Sequence, residues 1–222
     1  MALGTYAELQ TAIAAWLHRE NTATAQLQEL IRLAEERISA DLADMPFMQQ
    51  YPAAIALASG ASTLSLPADT LQLLSARLVS PDQPIALTTA DALQRKLSST
   101  TATGAPCICA VSTSAAAGTL GLKLWPVADQ DYTVQVLIVA AVPALSGSNT
   151  TNFVLTRAPS LYLYGSLLAA SALLVNDARV PMWEAMYSAA LGRFRGIDWG
   201  GAVMLSTEVP AGRTYDYSIL EG

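Results

Sequence analysis

Apolar side chains recur every three or four residues at both ends of the chain and roughly every second residue in the middle. The first spacing is that of one helical face, the second that of one strand face. Near the N-terminus, Leu9, Ile13, Trp16 and Leu17 mark a helix. Thr5-Tyr6-Ala7-Glu8 ahead of them fits a capping box, in which Thr5 and Glu8 satisfy each other's backbone N–H groups. Asn21 and Thr22 interrupt the pattern. A longer helix is predicted from Thr24 to Asp44, with Leu27, Leu30, Ile31, Ala34, Ile38 and Leu42 as its apolar stripe. Glu29, Arg32, Glu35, Glu36, Arg37 and Asp41 fall mostly on the opposite, solvated face. Pro46 is its stop.

From residue 53 the period changes. Ala53–Ala58 and Ser62–Leu66 read as strands joined by the Ser59-Gly60 turn, and Leu71–Val79 as a third. Ser80-Pro81-Asp82-Gln83-Pro84 is turn chemistry, and Thr89–Leu97 a short helix. Cys107–Val111, Thr119–Leu124 and Tyr132–Val142 are further strands, the last two predicted to form a hairpin about Asp129-Gln130-Asp131. Helical spacing then returns. Pro159 suits the first turn of a helix, where its missing N–H costs nothing. Leu161, Tyr164, Leu167, Leu168, Leu174 and Val175 follow it. Asp177 is placed to cap a last helix carrying Trp183, Tyr187, Leu191 and Phe194. The predicted architecture is α+β. Residues 1–50 and 152–197 form a four-helix bundle, two helices from each end of the chain. Residues 51–151 form an inserted small antiparallel β-sandwich or barrel, and residues 198–222 an extended C-terminal arm.

Composition narrows the function. Charged residues are 14% of the 222, against about 25% in an ordinary soluble domain. A surface so poor in charge suits a subunit covered by neighbours rather than a lone monomer. The net charge of −6, from 18 acids against 12 bases, argues against a basic nucleic-acid binder. Two cysteines exclude a disulfide scaffold. The N-terminus lacks the charged and apolar regions of a signal peptide. Leu161–Val175 is too short and too interrupted for a membrane span.

The search for catalytic chemistry returns ordinary structural roles. His18, the sole histidine, sits at a helix C-terminus, where the macrodipole favours it. Cys107 and Cys109 share a strand face and read as small buried hydrophobes. The acids of the second helix are interleaved with Arg32 and Arg37 at ion-pair spacing. Asp129 and Asp131 lack the further oxygen ligands that a cation requires. There is no Walker loop, GxSxG, HExxH or GxGxxG. No enzymatic activity, cofactor or metal is expected.

Several short stretches, in order, resemble tailed-bacteriophage head-to-tail adaptor (connector) proteins, the subunits beneath the portal. They are Thr5-Tyr6-Ala7-Glu8-Leu9 with Ala15-Trp16-Leu17; Ala34-Glu35-x-Arg37-Ile38 with Asp41-Leu42; and Ser65-Leu66-Pro67-Ala68-Asp69. Gly104-Ala105-Pro106, Pro143-Ala144-Leu145, and Asn152-Phe153-Val154-Leu155 with Ala158-Pro159 follow. Leu161-Tyr162-Leu163-Tyr164-Gly165 is the most specific piece, and Trp183-Glu184 with Tyr187 and Ala190-Leu191 closes the series. Thr70 stands where an aromatic is usual, Cys109 lies where aromatics are common, and Ala115–Ala117 resembles an inserted loop.

The resemblance implies a structural virion protein at the head–tail interface, assembled in the host cytoplasm. It implies a portal-docked ring, usually of twelve copies, that bridges portal to tail and continues the DNA channel without sequence-specific binding. Implied partners are the portal protein, a tail nozzle or tail-tube protein, identical subunits and, as a further candidate, tail fibres; no membrane is involved. The alternatives are another tail-completion or fibre-attachment protein and, further off, a glycan-binding or glycan-hydrolysing module, the former suggested by Trp125 alone. The arm lies beyond the matched stretches. Its apolar and aromatic residues Tyr215, Tyr217, Ile219 and Leu220, with Arg213, are the expected contacts to the portal or a neighbouring subunit, and an extended tail of about 20 residues spans up to about 65–70 Å.

Overall fold

The computed structural model describes residues 3–18, 23–99, 102–113, 119–171 and 177–197. Two helices come first, α1 (Tyr6–Trp16) and α2 (Thr24–Leu42), followed by a turn of 3-10 helix at Pro46–Met48. The strands are β1 (Gln49–Gln50), β2 (Ile55–Leu57), β3 (Thr63–Ser65), β4 (Thr70–Leu78), β5 (Gln83–Leu87), β6 (Ile108–Thr113), β7 (Leu120–Trp125) and β8 (Tyr132–Ala140). Helix α3 (Ala90–Ser99) separates β5 from β6, and α4 (Phe153–Arg157), α5 (Pro159–Ala170) and α6 (Val180–Arg195) close the described chain.

The predicted local signals shape the helices. Thr5 caps α1 by accepting the Glu8 N–H, and Glu8 reaches back to the Thr5 N–H at 3.1 Å, completing the capping box. Every residue of the expected α2 stripe is buried. Pro159 occupies the first turn of α5. Helix α5 is apolar almost all round, which suits a helix surrounded by others. It packs against α1, α2, α4 and α6. Its Gly165 lets two helices come close, since a Cβ there would lie 3.2 Å from Ala34 Cβ on α2 and 3.4 Å from Tyr187 Cε2 on α6. The helices thus pack around α5, with α2, α5 and α6 as the main assembly. Leu9, Ile13, Ile31, Ile38, Leu42, Tyr162, Trp183 and Tyr187 fill that core, each large aliphatic contributing about 1.5–3 kcal/mol by burial.

The β region is one curled eight-stranded sheet rather than a sandwich of two. The order is β1-β8-β4-β5-β6-β7-β3, with β2 also on β8. Strand β5 turns the corner: its first half pairs antiparallel with β4 and its second half parallel with β6. The parallel pair departs from the all-antiparallel expectation, and α3 supplies the crossover that such a pair needs. Strands β7 and β8 do not pair with each other, so the predicted hairpin is absent. Instead β7 takes β3 and β8 takes β2. The Ser59-Gly60 turn joins those two, with Gly60 at φ +76°, where a side chain would be strained. Asp131 Oδ1 accepts the Ser59 N–H at 2.8 Å, the Asp129 carbonyl accepts the Ser59 hydroxyl, and the Asp129 carboxylate accepts the Tyr132 hydroxyl. The two acids pin a turn. Leu57, Leu78, Leu122, Leu124 and Val134 lie inside the curl.

Candidate assembly interface

Helix α2 carries polar side chains into the protein, one turn apart. Glu35 and Ser39 are buried. Glu35 Oε1 accepts the Leu145 N–H at 2.7 Å and Ser39 Oγ accepts the Val142 N–H at 3.1 Å. They hold the segment that leaves β8 for the last helices. Placing Glu35 on the solvated face was therefore a misreading; it extends the row Leu27, Ile31, Glu35, Ser39. Burial pushes its carboxyl up to about 7, against the opposing pull of the Leu145 N–H and the Tyr162 hydroxyl. Asn152 completes the clamp. Its amide donates to the Pro143 carbonyl and to Tyr162, and its Oδ1 caps α4 by accepting the Leu155 N–H at 2.8 Å. At the start of the chain the Tyr6 N–H donates to the Thr150 carbonyl. The stretch Pro143-Ala144-Leu145 thus serves as a seam between sheet and helices.

Of the other acids on and just after α2, Glu29 pairs outward, and Asp41 and Asp44 bond to α6. Arg32 bonds Glu29 at 2.6 Å, Arg195 bonds Asp44 at 2.6 Å, and the Tyr187 hydroxyl donates to Asp41 at 2.7 Å. Arg37 lies over the Tyr187 ring, 4.6 Å from its centroid. Burial, then Asp41, keeps the Tyr187 hydroxyl protonated far above its ordinary range. Asp177 does not cap α6 as expected, since Arg179 holds the N-cap position; its carboxylate instead accepts the Arg179 N–H and guanidinium. That interaction lowers the Asp177 carboxyl well below the usual carboxylate range. The same guanidinium reaches the Trp16 carbonyl at 3.0 Å, joining α6 to α1.

His18 is exposed just past the end of α1, with φ +54°. Cys109 is buried on β6 and its thiol is pushed up to about 11 by burial; Cys107 is half-buried, and both are free. Trp125 is half-buried, with Lys96 of α3 over its ring. Among the described residues no group of three or more His, Cys, Asp or Glu could hold a metal ion. No helix among them is long and apolar enough to cross a membrane. The expected contact residues Arg213, Tyr215, Tyr217, Ile219 and Leu220 lie outside the described residues.

The described surface also carries exposed apolar side chains. Trp16, Met182 and Met186 are exposed on the helical side, and Val79, Leu87 and Val111 on the sheet. Phe47, Phe153 and Phe194 form a triad with ring centroids 5.4–6.4 Å apart, and Phe153 is 43% exposed. Helical spacing marked Phe194, whereas Phe47 and Phe153 were missed because each falls on a junction, Phe47 in the 3-10 turn and Phe153 at the start of α4. The exposed sulfurs and rings have the composition of protein-binding surface rather than of a catalytic cleft.

No curated protein matches the sequence. A family model described as SU10 adaptor protein matches residues 4–207, nearly the whole chain and all of its described elements. With a chemistry of helix packing, backbone clamps and exposed apolar side chains, and with that match, the chain belongs to the SU10 adaptor protein family, a family of structural adaptors of the phage virion.

Proposed function

We propose that the protein is a head-to-tail connector, a ring subunit of twelve copies beneath the portal that bridges it to a tail nozzle or tail-tube protein and continues the DNA channel. The family match over residues 4–207 carries this reading. The low charge content and the apolar side chains exposed on both helices and sheet support it, because neighbours in a ring would cover them. A net charge of −6 suits a channel that must let DNA slide, since a basic lining would grip phosphates. In this reading residues 1–50 and 152–197 act as the helical body and residues 51–151 as the inserted β unit, a site to which fibres could attach. Residues 198–222 are the anchoring arm, with Arg213, Tyr215, Tyr217, Ile219 and Leu220 contacting the portal or the next subunit.

The test is to mix the purified chain with its portal protein and image the mixture by negative stain. Ring density capping the portal is expected. Bare portals at saturating chain concentration would overturn the reading.

A further inference from the structure

Glu29, Arg32 and Glu35 follow one another on α2 at intervals of three residues, so Arg32 is a helix-surface neighbour of both acids. All three line one open cavity of about 400 Å³, together with Tyr6 at the start of α1 and with Leu145 and Ser146 of the seam. Arg32 therefore has a carboxyl within reach on either side. It holds Glu29, with Nη2 2.6 Å from Oε1, in a pair whose side chains are 64% and 56% exposed. Glu35 is buried, and no cation pairs with it among the described residues. The groups that face it are neutral: the Leu145 N–H, the Tyr162 hydroxyl of α5 and, acted on by its charge, the Tyr6 hydroxyl of α1. Glu36, the remaining acid nearby, acts on Arg32 through space.

We infer that Arg32 is a two-position cap on this cavity, resting on Glu29 while the Glu35 carboxyl is neutral and swinging onto Glu35 once that carboxyl ionises. Two comparisons set the direction. The attraction between Arg32 and Glu29 acts in water, where it is weak and screened. At Glu35 the dielectric is lower, so an ionised carboxyl without a cation is costly and a guanidinium at equal distance is attracted more strongly. While Glu35 is neutral, nothing draws Arg32 away from Glu29. With Arg32 in that position, burial holds the Glu35 carboxyl at about 7, so the exchange falls in the neutral range. Above the transition the guanidinium covers the contact between α2 and the seam, and Glu29 stands unpaired on the exposed side of the helix. A change of charge inside the protein is thereby written onto its surface.

The test follows two NMR signals of the full chain, the Glu35 carboxyl carbon and the Arg32 Nε–H, from about pH 5 to pH 9. The exchange predicts that the Arg32 signal moves with the Glu35 midpoint, and that it stays still over that range in Glu35→Gln. Arg32→Gln should raise the Glu35 midpoint by about one pH unit, the low end of the effect of a close opposite charge. Glu29→Gln removes the competitor and should lower it, whereas the same change in the Arg32→Gln background should leave it nearly unmoved. Both substituted side chains are exposed, and an unchanged thermal transition at acid pH checks that the variants fold. An Arg32 signal that is still through the Glu35 transition, or a Glu35 midpoint indifferent to Arg32→Gln, would overturn the inference. So would effects of the two substitutions that simply add, the signature of charges acting through space with Arg32 fixed on Glu29. These readouts concern the chain alone and stand whether or not it caps a portal.

Discussion

The Glu35 carboxyl accepts the backbone N–H of Leu145 at 2.7 Å, a bond between residues 110 apart in sequence. It joins the middle of α2 to the seam between sheet and helices, and burial raises the carboxyl from an ordinary value of 4.5 to about 7. The native state then binds more protons than the unfolded chain between those two values. The contribution of this group to stability is full below about pH 4.5 and is lost as pH rises through about 7. Glu35→Gln keeps an oxygen for the Leu145 N–H and removes the titration. Thermal melts from pH 4.5 to 8 should show a downward trend in the wild type that is flattened in the variant. Parallel trends would refute the assignment.

The Asn152 side chain serves three partners, the Leu155 N–H, the Pro143 carbonyl and Tyr162. Asn152→Ala removes an N-cap, worth about 1 kcal/mol, and strips a partner from the seam, for a total loss of about 2 kcal/mol. Asn152→Asp keeps the cap but has no N–H to donate to Pro143, and it brings a carboxylate near Glu35. Chemical denaturation should therefore rank wild type above both variants. An Asp variant as stable as the wild type would show that only the cap matters.

The α1 capping box, the α2 stripe, Pro159 and the strands from β2 to β4 and β6 to β8 were legible because each rests on local chemistry: Thr5 with Glu8, period 3.6, period 2. What escaped was set by distant residues. Strand β5 hid in the Pro81–Pro84 turn cluster, and only its partners β4 and β6 make Gln83–Leu87 a strand. The β7–β8 hairpin was inferred from adjacency in sequence, a rule that holds only about two-thirds of the time. Here β2 and β3 compete for both edges and win them. Glu35 looked solvated because a carboxylate normally is; its spacing of four from Ile31 and Ser39 was the available signal. Of the assembly surface, the sequence indicated poverty of charge and an anchoring arm, while the Phe47–Phe153–Phe194 triad exists only once three separate segments meet.

The two cysteines should differ in reactivity. Cys109 is fully buried on β6 and its thiol is pushed up to about 11, so at pH 8 roughly one molecule in a thousand carries the thiolate. Cys107 is half-buried. Iodoacetamide at pH 8 should label Cys107 in the folded protein and Cys109 only after denaturant is added. Mass spectrometry of Cys107→Ser under native conditions should find almost no label. Fast labelling of that variant would mean that β6 opens readily.

Gly165 sets how closely α2, α5 and α6 approach. A methyl group there would gain up to about 1 kcal/mol in helix propensity. It would also meet Ala34 Cβ at 3.2 Å and Tyr187 Cε2 at 3.4 Å. Ala34 is anchored in the α2 backbone and can give way only if the helix moves, while Tyr187 is held by its bond to Asp41. Overpacking of this kind costs about 1–3 kcal/mol, so Gly165→Ala should be net destabilising by about 1 kcal/mol and Gly165→Val by considerably more. Transferring the missing methyl to the other helix isolates the cause. In Ala34→Gly/Gly165→Ala the contact is relieved, although Ala34→Gly alone loses helix propensity and packing. The double variant should be more stable than the sum of the two single losses predicts, by about 0.5–2 kcal/mol of coupling in urea denaturation. Strict additivity would show that the helices do not touch at this point and that the close approach of α2 to α5 is not what requires glycine.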